Sequence, residues 1–184
     1  MFDTLNLWEL GILRWLDSIS SPASDVFWTL VTYFGEAGIF WIALSLLLMF
    51  PRKTRKIGFS MALALLLGLI IGNGILKNVF GRIRPYDLDP AINHHLAWGK
   101  MSTDFSFPSG HTLACFEGAT AIFVFCRKWG AVALVLAVMV ALSRLFLLVH
   151  YPSDVLAGAV LGSAFGVLAA FIVEKVSKKL DFRP

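Results

Sequence analysis

The stretch from Ser143 to Asp154 sets an arginine, a histidine and a carboxylate between two long apolar runs. In hydrocarbon an unpaired ionisable group is costly, and such groups usually mark a functional interior. His150 and Asp154 are four residues apart. The carboxylate can orient the ring if Pro152 begins the next helix, where its missing N–H is harmless. Arg144 lies about a turn and a half before His150. A fork-shaped cation beside an oriented imidazole suits an oxyanion, phosphate above all. The bland alternative is a polar helix–helix contact inside a bundle.

A second stretch, Phe107-Pro108-Ser109-Gly110-His111-Thr112, reads as the opening of another apolar helix. The first N–H groups of a helix are unpaired and its dipole favours negative charge, so this terminus can seat an anion. Ser109 can add a hydroxyl donor, and Gly110 lets an oxyanion approach the backbone. His111, one turn in, can give a proton to a leaving oxygen. A third stretch, Lys77 to Pro85, carries Lys77, Arg82 and Arg84 at the end of a further apolar run.

These residues need rigid elements, and the composition says which kind. The 184-residue chain is 58% hydrophobic and only 15% charged, with a mean hydropathy of +0.75. A soluble domain is nearer half apolar and a quarter charged. The expected class is all-α: a polytopic bundle of about six transmembrane helices with an amphipathic N-terminal helix, forming one domain over residues 1–184. Residues 4–19 have helical spacing at Leu5, Trp8, Ile12, Trp15 and Ile19, with Glu9, Arg14 and Asp17 on a polar face and two tryptophans suited to an interface. Pro22 then marks a break. Asp25 to Phe34 is too short to cross alone, and Ala37 to Phe50 extends back toward Gly35 as a first span. Ile57–Phe80, Ser109–Cys126, Gly130–Val149 and Pro152–Val176 follow. No basic leader with a long apolar core opens the chain, so no signal peptide is expected.

The net charge of +4 does not point to nucleic acid. Ten of the sixteen Lys and Arg fall in three clusters, Arg52/Lys53/Arg55/Lys56, Arg127/Lys128 and Lys175/Lys178/Lys179/Arg183, each capping an apolar run. That is the positive-inside pattern. With the clusters set inside, residues 77–85, 108–111 and 143–154 all fall at the outer ends of spans. Lys77, Arg82 and Arg84 then violate the pattern, as cations held by a bound anion would. Cys115 and Cys126 are about 16 Å of helical rise apart and cannot bridge within one helix.

Lys77 followed by six residues and Arg84-Pro85, then Pro108-Ser109-Gly110-His111, then Ser143-Arg144 with five residues to His150 and three more to Asp154, resembles the type 2 phosphatidic acid phosphatase superfamily. The three parts match in order and cover residues 77–154. The resemblance implies that Lys77, Arg84 and Arg144 bind phosphate, joined by Ser109 and the Gly110 amide. It implies that His150 is the nucleophile forming a phosphohistidine, that Asp154 orients it and that His111 protonates the leaving group. The residues support the same division of labour. Three cations and a helix N-terminus can neutralise equatorial charge, and two histidines can take the axial positions. A carboxylate on one ring nitrogen fixes the tautomer that leaves the other free to attack. No metal or cofactor is expected, because the cations take that role.

The expected activity is hydrolysis of a lipid phosphate or diphosphate at the extracytoplasmic face of the cytoplasmic membrane of a bacterium. Undecaprenyl diphosphate, a carrier recycled in cell-wall synthesis, is favoured. Phosphatidylglycerol phosphate and phosphatidic acid are alternatives, and a lipid transporter or scramblase is the competing class. The apolar spans exclude the setting of the soluble haloperoxidases that share the signature. His94 and His95 are expected to be solvated loop residues without the spacing of a zinc site. Arg82 is expected to touch a headgroup or support the site from behind, and Glu117 to face the same cavity, where it either tunes His111 or bonds a neighbouring helix, the structural role being favoured. No role is assigned to Asp25 or Glu36. Trp98, Phe105 and Phe107 are expected at headgroup level.

Overall fold

The computed structural model describes residues 3–92 and 103–179; His94, His95, Trp98 and Arg183 lie outside them. The described residues build α1 (Asp3–Ile19), α2 (Pro22–Thr32), a 3-10 stretch (Tyr33–Gly38) and α3 (Ile39–Met49). Then come α4 (Arg55–Leu67), a π-helical stretch (Gly68–Leu76), α5 (Lys77–Phe80) and α6 (Pro85–Leu88). The long helices α7 (Gly110–Phe125), α8 (Arg127–Phe146) and α9 (Pro152–Lys179) complete the bundle. Helices satisfy every backbone group within the segment, as hydrocarbon requires.

Four stretches are long and apolar enough to cross a membrane: Pro22–Met49, Arg55–Leu88, Arg127–Phe146 and Pro152–Lys179. The shorter apolar α7 makes five among the described residues, against an expectation of about six. The difference lies at the start of the chain. Residues 22–49 make a single crossing through the 3-10 stretch, and α1 stays outside the set of spans. Its stripe of Leu5, Trp8, Trp15 and Ile19 is exposed, while Asn6, Glu9, Leu10, Leu13 and Leu16 are buried. Glu9 therefore does not lie on an outward polar face. In a membrane setting the apolar stripe faces lipid, and the side carrying Glu9 faces protein.

Helix α7 is the axis, packed against α9, α8 and α4. Its approach to α9 is set by Gly158, Gly162 and Gly166, four residues apart. A Cβ at these positions would fall 2.8 Å from Ser109 O, 2.5 Å from Leu113 O and 2.9 Å from Glu117 O. Small residues at this spacing let membrane helices pack backbone to backbone. On the other side Trp41, fully buried, lies over Gly118 and donates its indole N–H to Cys115 Sγ at 3.1 Å. Lys56 of α4 pairs with Glu174 of α9 at 3.1 Å, so the basic clusters at 52–56 and 175–179 share one end of the bundle. The three polar stretches meet at the other end.

Candidate active site

Two local distortions turn the functional side chains inward. After α8 the chain closes with Val149 N–H bonded to Arg144 O at 3.2 Å and Leu148 N–H to Leu145 O at 3.0 Å. Leu148 takes the left-handed conformation, φ +56°, that usually calls for glycine at a helix C-terminus. A bulky residue there costs of order 1–3 kcal/mol and persists only where its surroundings hold it. Here the buried Leu148 packs with Leu10, Leu13 and Leu16 of α1, and with Ile92 and Tyr151. The turn so fixed delivers His150, 1% exposed, to the site. The second distortion is the kink at Glu36-Ala37-Gly38, where Ala37 and Gly38 have φ of +46° and +66°. It brings Glu36 Oε2 to 3.0 Å from His111 Nε2.

One cavity of about 1040 Å³ runs from this end of the bundle between α3, α4 and α7. Lys77, Arg84, Gly110, His111, Arg144 and His150 all line it. Gly81 (φ +54°) caps α5, and the extended residues that follow bury Arg82 and Arg84 while Ile83 stays exposed. Arg84 Nη1 donates to Val149 O at 2.9 Å and lies 3.4 Å from His150 Nε2. The Asp104 carboxylate spans two of the cations, taking Arg84 Nη2 at 2.6 Å and pairing with Lys77 Nζ. Arg144 donates to Thr32 Oγ1 at 2.6 Å, while its Nε is buried without a protein partner among the described residues. Guanidinium groups so placed are ready to accept a further anion.

His150 is supported from behind. Asp154 Oδ2 is 3.6 Å from His150 Nδ1. Between them Ser106 donates its hydroxyl to Asp154 Oδ2 at 2.5 Å, and its oxygen stands 3.4 Å from Nδ1. Tyr151 N–H adds a bond to the same carboxylate oxygen at 3.0 Å. Nδ1 thus faces the carboxylate side and Nε2 faces Arg84 and the cavity. Burial, reinforced by the nearby Arg84, Arg144 and Lys77 cations, holds the His150 pKa well below the ordinary imidazole range. The ring is neutral, as a nitrogen nucleophile must be.

Ser109 and Asp154, both buried, stand behind the cavity wall. The Ser109 hydroxyl accepts from Thr112 Oγ1 at 3.0 Å, and its N–H bonds to Asp154 O at 3.1 Å. Ser109 therefore ties α7 to α9, and Gly110 beside it lines the cavity. Of the two roles expected for Arg82, the structure gives support from behind the site and not a headgroup contact. Its side chain is fully buried and pairs with both Asp154 and Glu9. Sequence reasoning did not find Ser106, Asp104, Asn6 or Glu9 as parts of this site. Nor did it find Asn73, whose Oδ1 lies 3.0 Å from where a Gly110 Cβ would stand. Glu117 does line the cavity, with Oε1 buried and unpartnered among the described residues.

The chain belongs to the PAP2 superfamily, whose model matches residues 53–178. It is a multi-pass membrane protein. It is 33% identical over 133 residues to an undecaprenyl-diphosphatase of Sulfolobus acidocaldarius, a match covering 72% of this chain and 63% of that protein. The chain thus spans somewhat under two thirds of the length of that relative. It is 35% identical over 156 residues to the bacitracin transport permease protein BcrC of Bacillus licheniformis, covering 83% and 73% of the two chains. Among solved structures it resembles a transmembrane PAP2-type phosphatidylglycerolphosphate phosphatase from Bacillus subtilis. That likeness has a TM-score of 0.76 at 26% identity and covers 94% of this chain and 88% of that one.

Proposed function

We propose that the protein is a membrane lipid phosphatase that works through a phosphohistidine. The observation that carries this reading is the cavity shared by three cations and two histidines, one of them backed by a buried carboxylate. Lys77, Arg84 and Arg144 neutralise the equatorial oxygens of the phosphoryl group, and the N-terminus of α7 at Gly110 adds its amides and dipole. His150 Nε2 forms a bond to the terminal phosphorus as that phosphorus loses its bond to the leaving oxygen, which departs on the lipid alcohol of a monophosphate or on the lipid phosphate of a diphosphate. His111, paired with Glu36, gives the departing oxygen a proton. Water then attacks the phosphohistidine and passes a proton back to His111, the P–N bond breaks and inorganic phosphate leaves. Positive charge gathers on the His150 ring at the first step, where Asp154 offsets it.

The substrate we favour is undecaprenyl diphosphate, supported by the similarity to the Sulfolobus undecaprenyl-diphosphatase. Phosphatidylglycerol phosphate is the second reading, favoured by the likeness to the Bacillus phosphatase structure. We place the site at the extracytoplasmic face of the cytoplasmic membrane, because the basic clusters gather at the opposite end of the bundle. The test is phosphate release by detergent-solubilised protein, with undecaprenyl diphosphate, phosphatidylglycerol phosphate and phosphatidic acid offered in parallel. Turnover should be highest on undecaprenyl diphosphate and abolished in a His150→Ala variant that still inserts. Release from none of the lipids would support a transporter instead, and an active His150→Ala variant would end the nucleophile assignment.

A further inference from the structure

Behind the nucleophile and Asp154 lie two further buried charges, Arg82 and Glu9, to which the reaction has so far assigned no part. Arg82 Nη1 pairs with Asp154 Oδ1 and donates to Ser153 Oγ at 2.6 Å. Its Nη2 meets Glu9 Oε2 at 2.5 Å, and Nε and Nη2 share Asn6 Oδ1 at 3.0 and 2.7 Å. The guanidinium lies over the Tyr151 ring, 4.0 Å from its centroid. Glu9 also accepts from Ser153 N–H at 2.6 Å and Ser153 Oγ at 2.9 Å, close to the start of α9. Glu9, Arg82 and Asp154 are each at most 2% exposed, and none lines the cavity.

We propose that Glu9 and Arg82 are positioning residues for the nucleophile, forming with Asp154 a row of alternating charge that leaves one net negative charge behind His150. The proposal rests on His150 as the attacking group. Arg82 alone would largely cancel the field of Asp154 at the ring. Glu9, on the far side of the guanidinium, offsets Arg82 and restores that field. Low-dielectric surroundings make such charges strongly felt. The ring becomes cationic only when Nε2 bonds to phosphorus, so the row acts on the transition state and not on substrate binding. Helix α1, which carries Asn6 and Glu9, is then part of the catalytic apparatus and more than an interfacial anchor. A plain structural pin between α1 and the bundle would use the same contacts but would not depend on the balance of charge.

Restoring the net charge with a second neutral substitution separates the two. Glu9→Gln, Arg82→Gln, the double variant and His150→Ala are purified in detergent, checked for folding by size exclusion and thermal unfolding, and assayed for kcat and KM. Glu9→Gln should lower kcat about ten- to a hundredfold, the range seen when the outer partners of metal-ligating side chains are lost, with KM unchanged. The double variant, which again leaves one negative charge behind the ring, should return to within tenfold of wild type. A double variant no faster than Glu9→Gln overturns the proposal, as does a loss confined to KM. Should Glu9→Gln fail to fold, the double variant decides alone: within tenfold of wild type supports the proposal, and slower or unfolded protein overturns it. An active His150→Ala variant would defeat the nucleophile assignment itself. An inactive one, beside a double variant that fails to recover, defeats only the proposal made here.

Discussion

Replacing Ser106 by Ala removes the one hydroxyl that stands between the Asp154 carboxylate and the His150 ring among the described residues. Ser106 is fully buried, donates to Asp154 Oδ2 at 2.5 Å and stands 3.4 Å from His150 Nδ1. A hydrogen bond to a charged group contributes about 1.5–3 kcal/mol. If that support is felt mainly when the ring becomes cationic, each 1.36 kcal/mol is tenfold in rate, so kcat should fall about ten- to 150-fold. Tyr151 N–H still holds the carboxylate, which keeps the loss from being total. Ser106 does not line the cavity, so KM should stay within about twofold. The assay is initial-rate phosphate release in micelles over a substrate series, with thermal unfolding of the variant to show that the bundle is intact. A kcat within twofold of wild type, or a loss carried by KM, would refute the placing of Ser106 between carboxylate and ring.

Two further outcomes follow from the same geometry. Because burial and three nearby cations hold His150 neutral, the acid limb of kcat/KM belongs well below the ordinary imidazole pKa of about 6.5. Lowering pH through that value should leave the nucleophile available, and an acid limb at or above 6.5 contradicts the assignment. Gly162→Val would set a Cβ 2.5 Å from the Leu113 carbonyl and 2.9 Å from Phe116 Cβ, forcing α9 off α7. Overpacking of this kind costs about 1–3 kcal/mol or more, so the variant should unfold at lower temperature in detergent and lose activity. Unchanged unfolding would show that α7 and α9 do not pack through their backbones.

Five of the residues facing the cavity were readable because each is a polar type stranded in an apolar chain, whereas Asn73 and Asp104, which also face it, were not. Lys77, Arg84, His111, Arg144 and His150 stand out against their neighbours, and the chain brings all of them to one cavity. Behind the wall Ser109 and Asp154 were readable, and Ser106, Asn6 and Glu9 were not. Ser106 is one serine among several in a polar loop, and only folding sets it against Asp154, 48 positions on. Glu9 meets Ser153 across 144 positions, and no local periodicity reports such a pairing. A signal did exist: Asn6 and Glu9 lie three apart and share a helix face with Leu10, Leu13 and Leu16. A carboxylate on a buried stripe calls for a cation, and Arg82 is that cation. The first crossing was obscured by its kink, because Ala37 at positive φ breaks the helical pattern without a proline. The last two long spans were set by hydropathy and agree with the structure to within three residues at each end, whereas the second runs on to Leu88, past the expected Phe80.

The claim on which the account rests is that phosphorus is transferred to His150 before it reaches water. The stereochemical course tests this most directly, using a lipid thiophosphate made chiral at phosphorus with oxygen isotopes and hydrolysed in isotopically labelled water. Two successive in-line displacements should give retention of configuration, together with an acid-labile label on the His150 peptide after rapid quenching. Inversion, with no labelled histidine, would mean that water attacks phosphorus directly.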